Sequence, residues 1–269
     1  MSLTLTALAL AAAPADASTL ATPEGPWSVD YGDRQCLAMR TFDHAALGRL
    51  ALAFKPDMLG KKGQLLVKFV DPPAMPMLDE ARWDLPGAPS TAHSAQVAMG
   101  DLANGEKLAA AMDFYPDNAT THVPRRIDFA AQGEVVLTLE VPEAHALETA
   151  LRDCMVDLWA EHNLTPDLIE RPVTAPSPHI ASTYRGDDYP RAALDRSISG
   201  TVPILYVVNA EGRIEHCEVW QSSGHEILDE PTCKVLFRRY RASSPPRDAA
   251  GNAVSGAYIF PVVWRISDR

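Results

Sequence analysis

Residues 189–266 read YPRAALDRSISGTVPILYVVNAEGRIEHCEVWQSSGHEILDEPTCKVLFRRYRASSPPRDAAGNAVSGAYIFPVVWRI, and the order of apolar periods in this stretch decides the fold of the C-terminal part of the chain. In 201–209, Val202, Ile204, Tyr206 and Val208 recur at every second position, which predicts a half-buried strand. Asn209-Ala210-Glu211-Gly212 supplies a turn, and 213–221 runs back as a second strand until Ser222-Ser223-Gly224 breaks it. Tyr258, Phe260, Val262, Trp264 and Ile266 alternate strictly and predict a third strand with one buried face. A short helix is expected from Tyr189, with Pro190 tolerated in its first turn and Gly200 at its end. A longer one is expected from Asp229 as N-cap through Arg241, with Cys233, Leu236, Phe237 and Tyr240 on one face. Its last turn holds Arg238, Arg239 and Arg241, cations that complement the helix dipole. The expected order is α-β-β-α-β.

Upstream, 165–181 contains Pro166, Pro172, Pro176 and Pro178 among Ser and Thr, a density that disfavours helix and reads as an extended interdomain linker. Before it, short runs at 27–31, 36–41, 50–54, 64–70, 82–85, 96–99, 126–130 and 134–141 read as strands, punctuated by Gly, Pro and Asp as in antiparallel sheets. One helix closes this half, because Leu147, Leu151, Cys154, Met155 and Leu158 form an apolar stripe. The fold class is therefore α+β. Its expected parts are a signal peptide over 1–17, a mostly antiparallel β-rich domain over 18–164, the linker over 165–181 and the α-β-β-α-β domain over 182–269. No internal repeat relates the halves.

The chain's 269 residues allow two domains of ordinary size, and its 46% hydrophobic and 22% charged content is that of a globular protein. A net charge of −11 repels nucleic acid, and no basic stripe larger than the arginine trio offsets it, so no nucleic-acid partner is expected. The run 3–13, LTLTALALAAA, is followed by Ala15-Asp16-Ala17, an A-x-A cleavage pattern. It is shorter than the roughly 20 residues that span a bilayer, and so reads as the core of an export signal. No Lys or Arg precedes it, which leaves either a start upstream of this one or a segment without an export role; export is the expectation.

Four cysteines, Cys36, Cys154, Cys217 and Cys233, include no CxxC pair and no zinc-ligand spacing. In an oxidising compartment they suggest two disulfides among three possible pairings. Pairing within domains favours Cys36 with Cys154 and Cys217 with Cys233; four reduced, buried thiols are the alternative.

Taken together, Tyr189-Pro190, Gly200-Thr201-Val202, Val208 with Gly212, Val219 with Ser222-Ser223-Gly224, Leu228-Asp229, and Pro245 before Gly251 and the closing strand resemble the TonB C-terminal domain family. No single element is specific; order and spacing carry the resemblance, over about 189–266. It implies a periplasmic module that docks on outer-membrane receptors, whose short segment adds as a strand beside the domain's last strand. The residues matching that strand, and implied to contact the partner, are Tyr258, Ile259, Phe260, Val262 and Trp264. Pro261 among them has no N–H to donate, which suits a sheet edge or bulge, whether as a site or as a blunted edge. An energy transducer of the family needs an uncleaved membrane helix and a long Pro-rich spacer, and the sequence reads as neither. The Cys217 and Cys233 pair and the Trp27, Cys36 and Arg40 opening are similar to a branch of TonB-like periplasmic proteins.

Chemistry is weakly signalled. Ser222-Ser223-Gly224-His225 reads as a turn, since neighbours on a turn rarely make a nucleophile and base, and no G-x-S-x-G elbow exists. His216 and Cys217 fall on opposite strand faces, and HExxH, GxGxxG and P-loop patterns are absent. Met75, Met77, Met99 and Met112 read as filler rather than a soft-metal site. The expectation is a non-enzymatic, cofactor-free protein-binding module for a partner such as an outer-membrane receptor peptide. The alternatives are a self-associating envelope protein and an enzyme with its site in the N-terminal domain.

Overall fold

The computed structural model describes residues 18–32, 34–60, 62–70, 76–83, 93–102, 106–111 and 123–266. The expected signal segment, Met75 and Met112 lie outside them. The chain divides into two compact units, 1–153 and 154–269.

Among the described residues, the first unit holds one sheet of nine strands: β1 (Thr22–Gly32), β2 (Gln35–His44), β3 (Gly48–Pro56), β4 (Gly63–Phe69), β5 (Glu80–Trp83), β6 (His93–Asp101), β7 (Lys107–Ala111), β8 (Arg126–Ala131) and β9 (Glu134–Glu140). Their order is β1-β2-β3-β4-β7-β6-β5-β8-β9, and every neighbouring pair runs antiparallel. The core follows from cross-strand pairing. Leu50, Leu52 and Phe54 of β3 face Phe69, Val67 and Leu65 of β4, and all six are fully buried. The sheet curls until its margins meet, where Thr138 donates its N–H to the Thr19 carbonyl (2.7 Å) and accepts from Ala21 (3.0 Å).

Two strands depart from expectation. β7, KLAAA, has poor strand propensity and gave no period; it is a strand because β4 and β6 pair with it on both sides. β1 runs longer than 27–31 because a register shift between Glu24 and Ser28 absorbs the Pro-containing start. The helix α1 (Ala144–Glu161) has the expected stripe, with Leu147, Leu151, Cys154, Met155 and Leu158 all buried. Its start is tied to the sheet, since Glu143 pairs with Arg40 at 3.1 Å and Glu148 accepts from the Val123 N–H at 2.9 Å.

The second unit holds the end of α1, then α2 (Pro166–Glu170), α3 (Arg191–Asp195), β10 (Gly200–Val208), β11 (Ile214–Val219), α4 (Glu226–Arg239) and β12 (Gly256–Trp264). After α2, which is one turn of helix, the order α-β-β-α-β matches expectation. The sheet is three-stranded, β11-β10-β12, with both pairs antiparallel.

The segment 165–181 is not uniformly extended. It contains α2, whose Pro166 sits at the first helical position where no N–H is needed. It then pairs with the stretch before β12, through bridges Thr174 to Arg247 and Ser177 to Ser244. The prolines alone hid this, because those partners are some 70 residues away.

β10 is not half-buried either. Val202, Ile204, Tyr206 and Val208 face the core as expected, but Leu205 and Val207 on the other face are also buried. A second layer covers that face: His162 Nδ1 lies 2.7 Å from Glu218 Oε1, its ring packs edge-on against Trp220, and α2 packs on β12. The fourth helix begins at Glu226, earlier than the expected Asp229, because the His225 carbonyl already accepts from Leu228 and Asp229. It ends at Arg239. Leu236 and Tyr240 are buried and Cys233 packs against the core, whereas Phe237 is turned outward. In the turn after β10, Gly212 has φ +75°, and a Cβ there would lie 2.6 Å from the Ala242 carbonyl oxygen, so only glycine closes this turn against the chain after α4.

No cysteine is free: Cys217 bonds Cys233, tying β11 to α4, and Cys36 and Cys154 are both disulfide-bonded.

Candidate partner-binding edge

The last strand lies at a margin of its sheet, with β10 on one side and no strand on the other among the described residues. Its register places Pro261 directly opposite Pro203. The Pro203 carbonyl accepts from the Trp220 N–H (2.8 Å) and the Gln221 N–H (3.2 Å), on the β11 side. Backbone groups of one residue point the same way in an antiparallel ladder, so Pro203 and Pro261 face away from each other. Two residues without N–H groups thus occupy the one kind of pair that needs no bond between them.

Counting by twos from Pro261 fixes the rest of β12. Phe260 and Val262 direct their backbone groups inward to β10, and Ile259 and Val263 direct theirs to the outer margin. Along 259–263 that margin therefore carries two N–H donors separated by the proline, whose carbonyl still accepts. At its start the strand is confined: Pro172 sits so close to Gly256 that a Cβ there would lie 2.9 Å from its ring.

The five sequence-predicted side chains divide between two faces. Tyr258, Phe260, Val262 and Trp264 belong to the core face, and Val262 and Trp264 are buried in it. Tyr258 packs against Tyr206 with ring centroids 5.6 Å apart, and Phe260 against His179 at 4.7 Å. Ile259 lies on the opposite face, half-buried. Pro261 and Val263 are exposed, the latter by 54%, and were not among the predicted contacts. Strand alternation flags Val263 as off the core face, but only the paired structure shows that nothing in its unit covers it.

Electrostatics in the unit serve the fold. Burial pushes the Tyr184, Tyr206 and Tyr258 phenols above their ordinary range, so they stay neutral. The Ser222 and Ser223 hydroxyls donate to Asp229, at 2.5 and 2.7 Å, and the Ser223 N–H adds a third bond. Asp229 is thereby a clasp between this turn and the first turns of α4, and the Ser222 and Ser223 hydroxyls serve it rather than a histidine base. Partial burial raises the Asp229 carboxyl, but the serine bonds outweigh it and hold the group below its ordinary value. A lowered carboxyl contributes stability in full above the unfolded pKa and loses it as pH falls through the folded one. Asp229→Asn is therefore expected to lower the urea midpoint at pH 7, with the gap to the parent closing toward pH 3. A gap that is constant with pH would refute the clasp.

Among the described residues, no set of three His, Cys, Asp or Glu side chains could hold a metal ion, and no helix is long and apolar enough to cross a membrane.

Comparison with known proteins bears on this unit. The family described as Gram-negative bacterial TonB protein C-terminal matches residues 186–266. The solution NMR structure of the Pseudomonas aeruginosa TonB C-terminal domain matches with 28% identity over 30% of this chain and 79% of that one, at a TM-score of 0.24. No curated protein matches the chain. What residues 186–266 resemble in sequence is the C-terminal domain of the TonB protein.

Proposed function

We propose that this chain is a periplasmic protein-binding module that takes a partner segment as an added strand along the outer margin of β12, at Ile259 to Val263. One observation carries the reading: the margin is free of strand pairing and its N–H groups at Ile259 and Val263 point outward. Backbone pairing at such an edge supplies affinity, and alternate side chains supply selectivity. Of the predicted contacts, Ile259 and Phe260 are half-exposed beside it, while Tyr258, Val262 and Trp264 hold the strand in place. The oxidised cysteines favour export, and the signal segment over 1–17 with a β-rich N-terminal domain over 18–164 remains part of the proposal. By the same resemblance, the partner is the N-terminal segment of an outer-membrane receptor, and the chain acts by binding rather than by catalysis.

The test is amide NMR of the full chain titrated with such receptor peptides. Strand addition shifts Ile259 and Val263 strongly, while Phe260 and Val262, already bonded to β10, move little. Spectra unchanged at high peptide concentration would remove the proposal. Shifts that grow with protein concentration alone would assign the margin to a second copy of the chain.

A further inference from the structure

At the C-terminal end of α4, away from the β12 margin in sequence and in lining residues, lies a cavity of about 340 Å³ walled by Pro178, Ser182, Thr183, Arg185, Arg239, Tyr240 and Arg241. Its charge is unusual for this chain, which is net −11. Among the described residues, no carboxylate lines it. Arg239 of its wall engages Asp188, whose side chain is only 1% exposed and is also engaged by Arg238, both at 3.0 Å. Two guanidinium groups thus share one carboxylate, and they leave a positive surplus on the cavity side.

The other two arginines add to that surplus. Arg241 spends a donor on the carbonyls of Tyr240 (2.5 Å) and Phe237 (3.4 Å), which caps the helix but leaves its charge unneutralised. Arg185 comes from a different element, the loop before the helical turn Gly186–Asp188, and its guanidinium has no carboxylate partner among the described residues. Helix capping explains Arg241, and the Asp188 bridge explains one share of Arg238 and Arg239. Neither explains Arg185. Planar guanidinium forks suit an oxyanion with several acceptor oxygens, and the arginines carry the recognition here, since the Ser182 hydroxyl at the wall donates to the His179 carbonyl at 2.8 Å.

We propose that this cavity binds a phosphate group, held by Arg185, Arg239 and Arg241 with the Ser182 and Thr183 hydroxyls at its wall. The site stands apart from the strand-addition reading, since it uses no residue of β12. A phosphate could arrive free or as the phosphomonoester of a lipid headgroup, and one experiment separates these.

Amide NMR of the full chain is recorded with inorganic phosphate and with chloride at the same ionic strength. Phosphate is expected to shift Ser182, Thr183 and Arg185 saturably and chloride not to. Arg185→Gln should weaken the response about tenfold or more, the effect of losing a charge-assisted bond. Arg196→Gln, at an exposed arginine outside the cavity lining, should leave it within about twofold if phosphate is read by the cavity and not by general charge. In a parallel arm, the chain is sedimented with phosphatidic acid vesicles and with phosphatidylcholine vesicles. Arg185-dependent binding to the former without a response to free phosphate would assign the group to a lipid. Equal responses to phosphate and chloride, an Arg185→Gln protein that binds like the parent, or no response in either arm would overturn the site.

Discussion

Trp264→Ala is expected to destabilise the second unit by about 3–5 kcal/mol, the range for removing a large aromatic from a packed core. The side chain is 4% exposed and closes the core at the end of β12. Tyr184 and Tyr189 meet it edge-on at 5.8 and 5.4 Å, the geometry that aromatic quadrupoles favour. Its Nε1–H donates to Thr232 Oγ1 at 3.0 Å, and that hydroxyl donates to the Leu228 carbonyl at 2.7 Å. Truncation therefore opens a cavity, removes two ring contacts and takes away the N–H that the buried Thr232 hydroxyl accepts, while that hydroxyl keeps its bond to Leu228. A domain's whole stability is about 5–15 kcal/mol, so the unit should be largely unfolded at modest urea. Two milder variants separate the contributions. Thr232→Val keeps the shape but leaves the indole N–H unsatisfied, for about 1–3 kcal/mol, while Trp264→Phe loses the same bond and some volume. Urea unfolding followed by circular dichroism reads all three. A Trp264→Ala loss below about 1 kcal/mol would show that this end of β12 is looser than its burial suggests.

Replacing both Cys217 and Cys233 by serine is expected to cost about 3 kcal/mol, the loop-entropy value for a closed loop of this size. The sequence separation is 16, and the bond joins β11, an edge strand, to α4. The double variant is preferable to reductant, because reductant also opens the disulfide bonding of Cys36 and Cys154 and would mix two effects. Comparing denaturation midpoints of variant and parent, both without reductant, isolates the β11 to α4 link. An unchanged midpoint would mean that the unfolded chain is already held together in this region by other contacts. Combined with Trp264→Ala, the loss should be close to the sum unless the two sites share neighbours in the core.

Strand addition at the β12 margin is constrained by Pro261. It needs the margin at Ile259 and Val263 to accept a strand around Pro261, whose missing N–H leaves one carbonyl of the incoming segment without a donor. That gap narrows which registers of a partner are comfortable. Partners paired through the two flanking donors should outcompete those that need the centre.

The C-terminal order of elements was legible in the sequence because each depends on its own period: alternation at Val202 to Val208 and Tyr258 to Trp264, turn residues at Asn209 to Gly212, and the proline and serine breaks between. These are local physics, and the chain could not satisfy them otherwise. So too the stripe Leu147 to Leu158 on α1, and the pairing of the cysteines. Tertiary structure alone decided the rest. KLAAA became a strand because two neighbours offered it hydrogen bonds. Leu205 and Val207 were buried because residues 154–170 supplied a second layer, and Phe237 was left outside because no element among the described residues covered that side of α4. Which backbone groups of β12 look outward depended on the pairing of Pro261 with Pro203, and which arginines converge depended on Asp188, 50 residues from Arg238. Period and composition act within a few residues; burial, edges and charge clusters are set by partners far along the chain, and only the folded contacts bring those together.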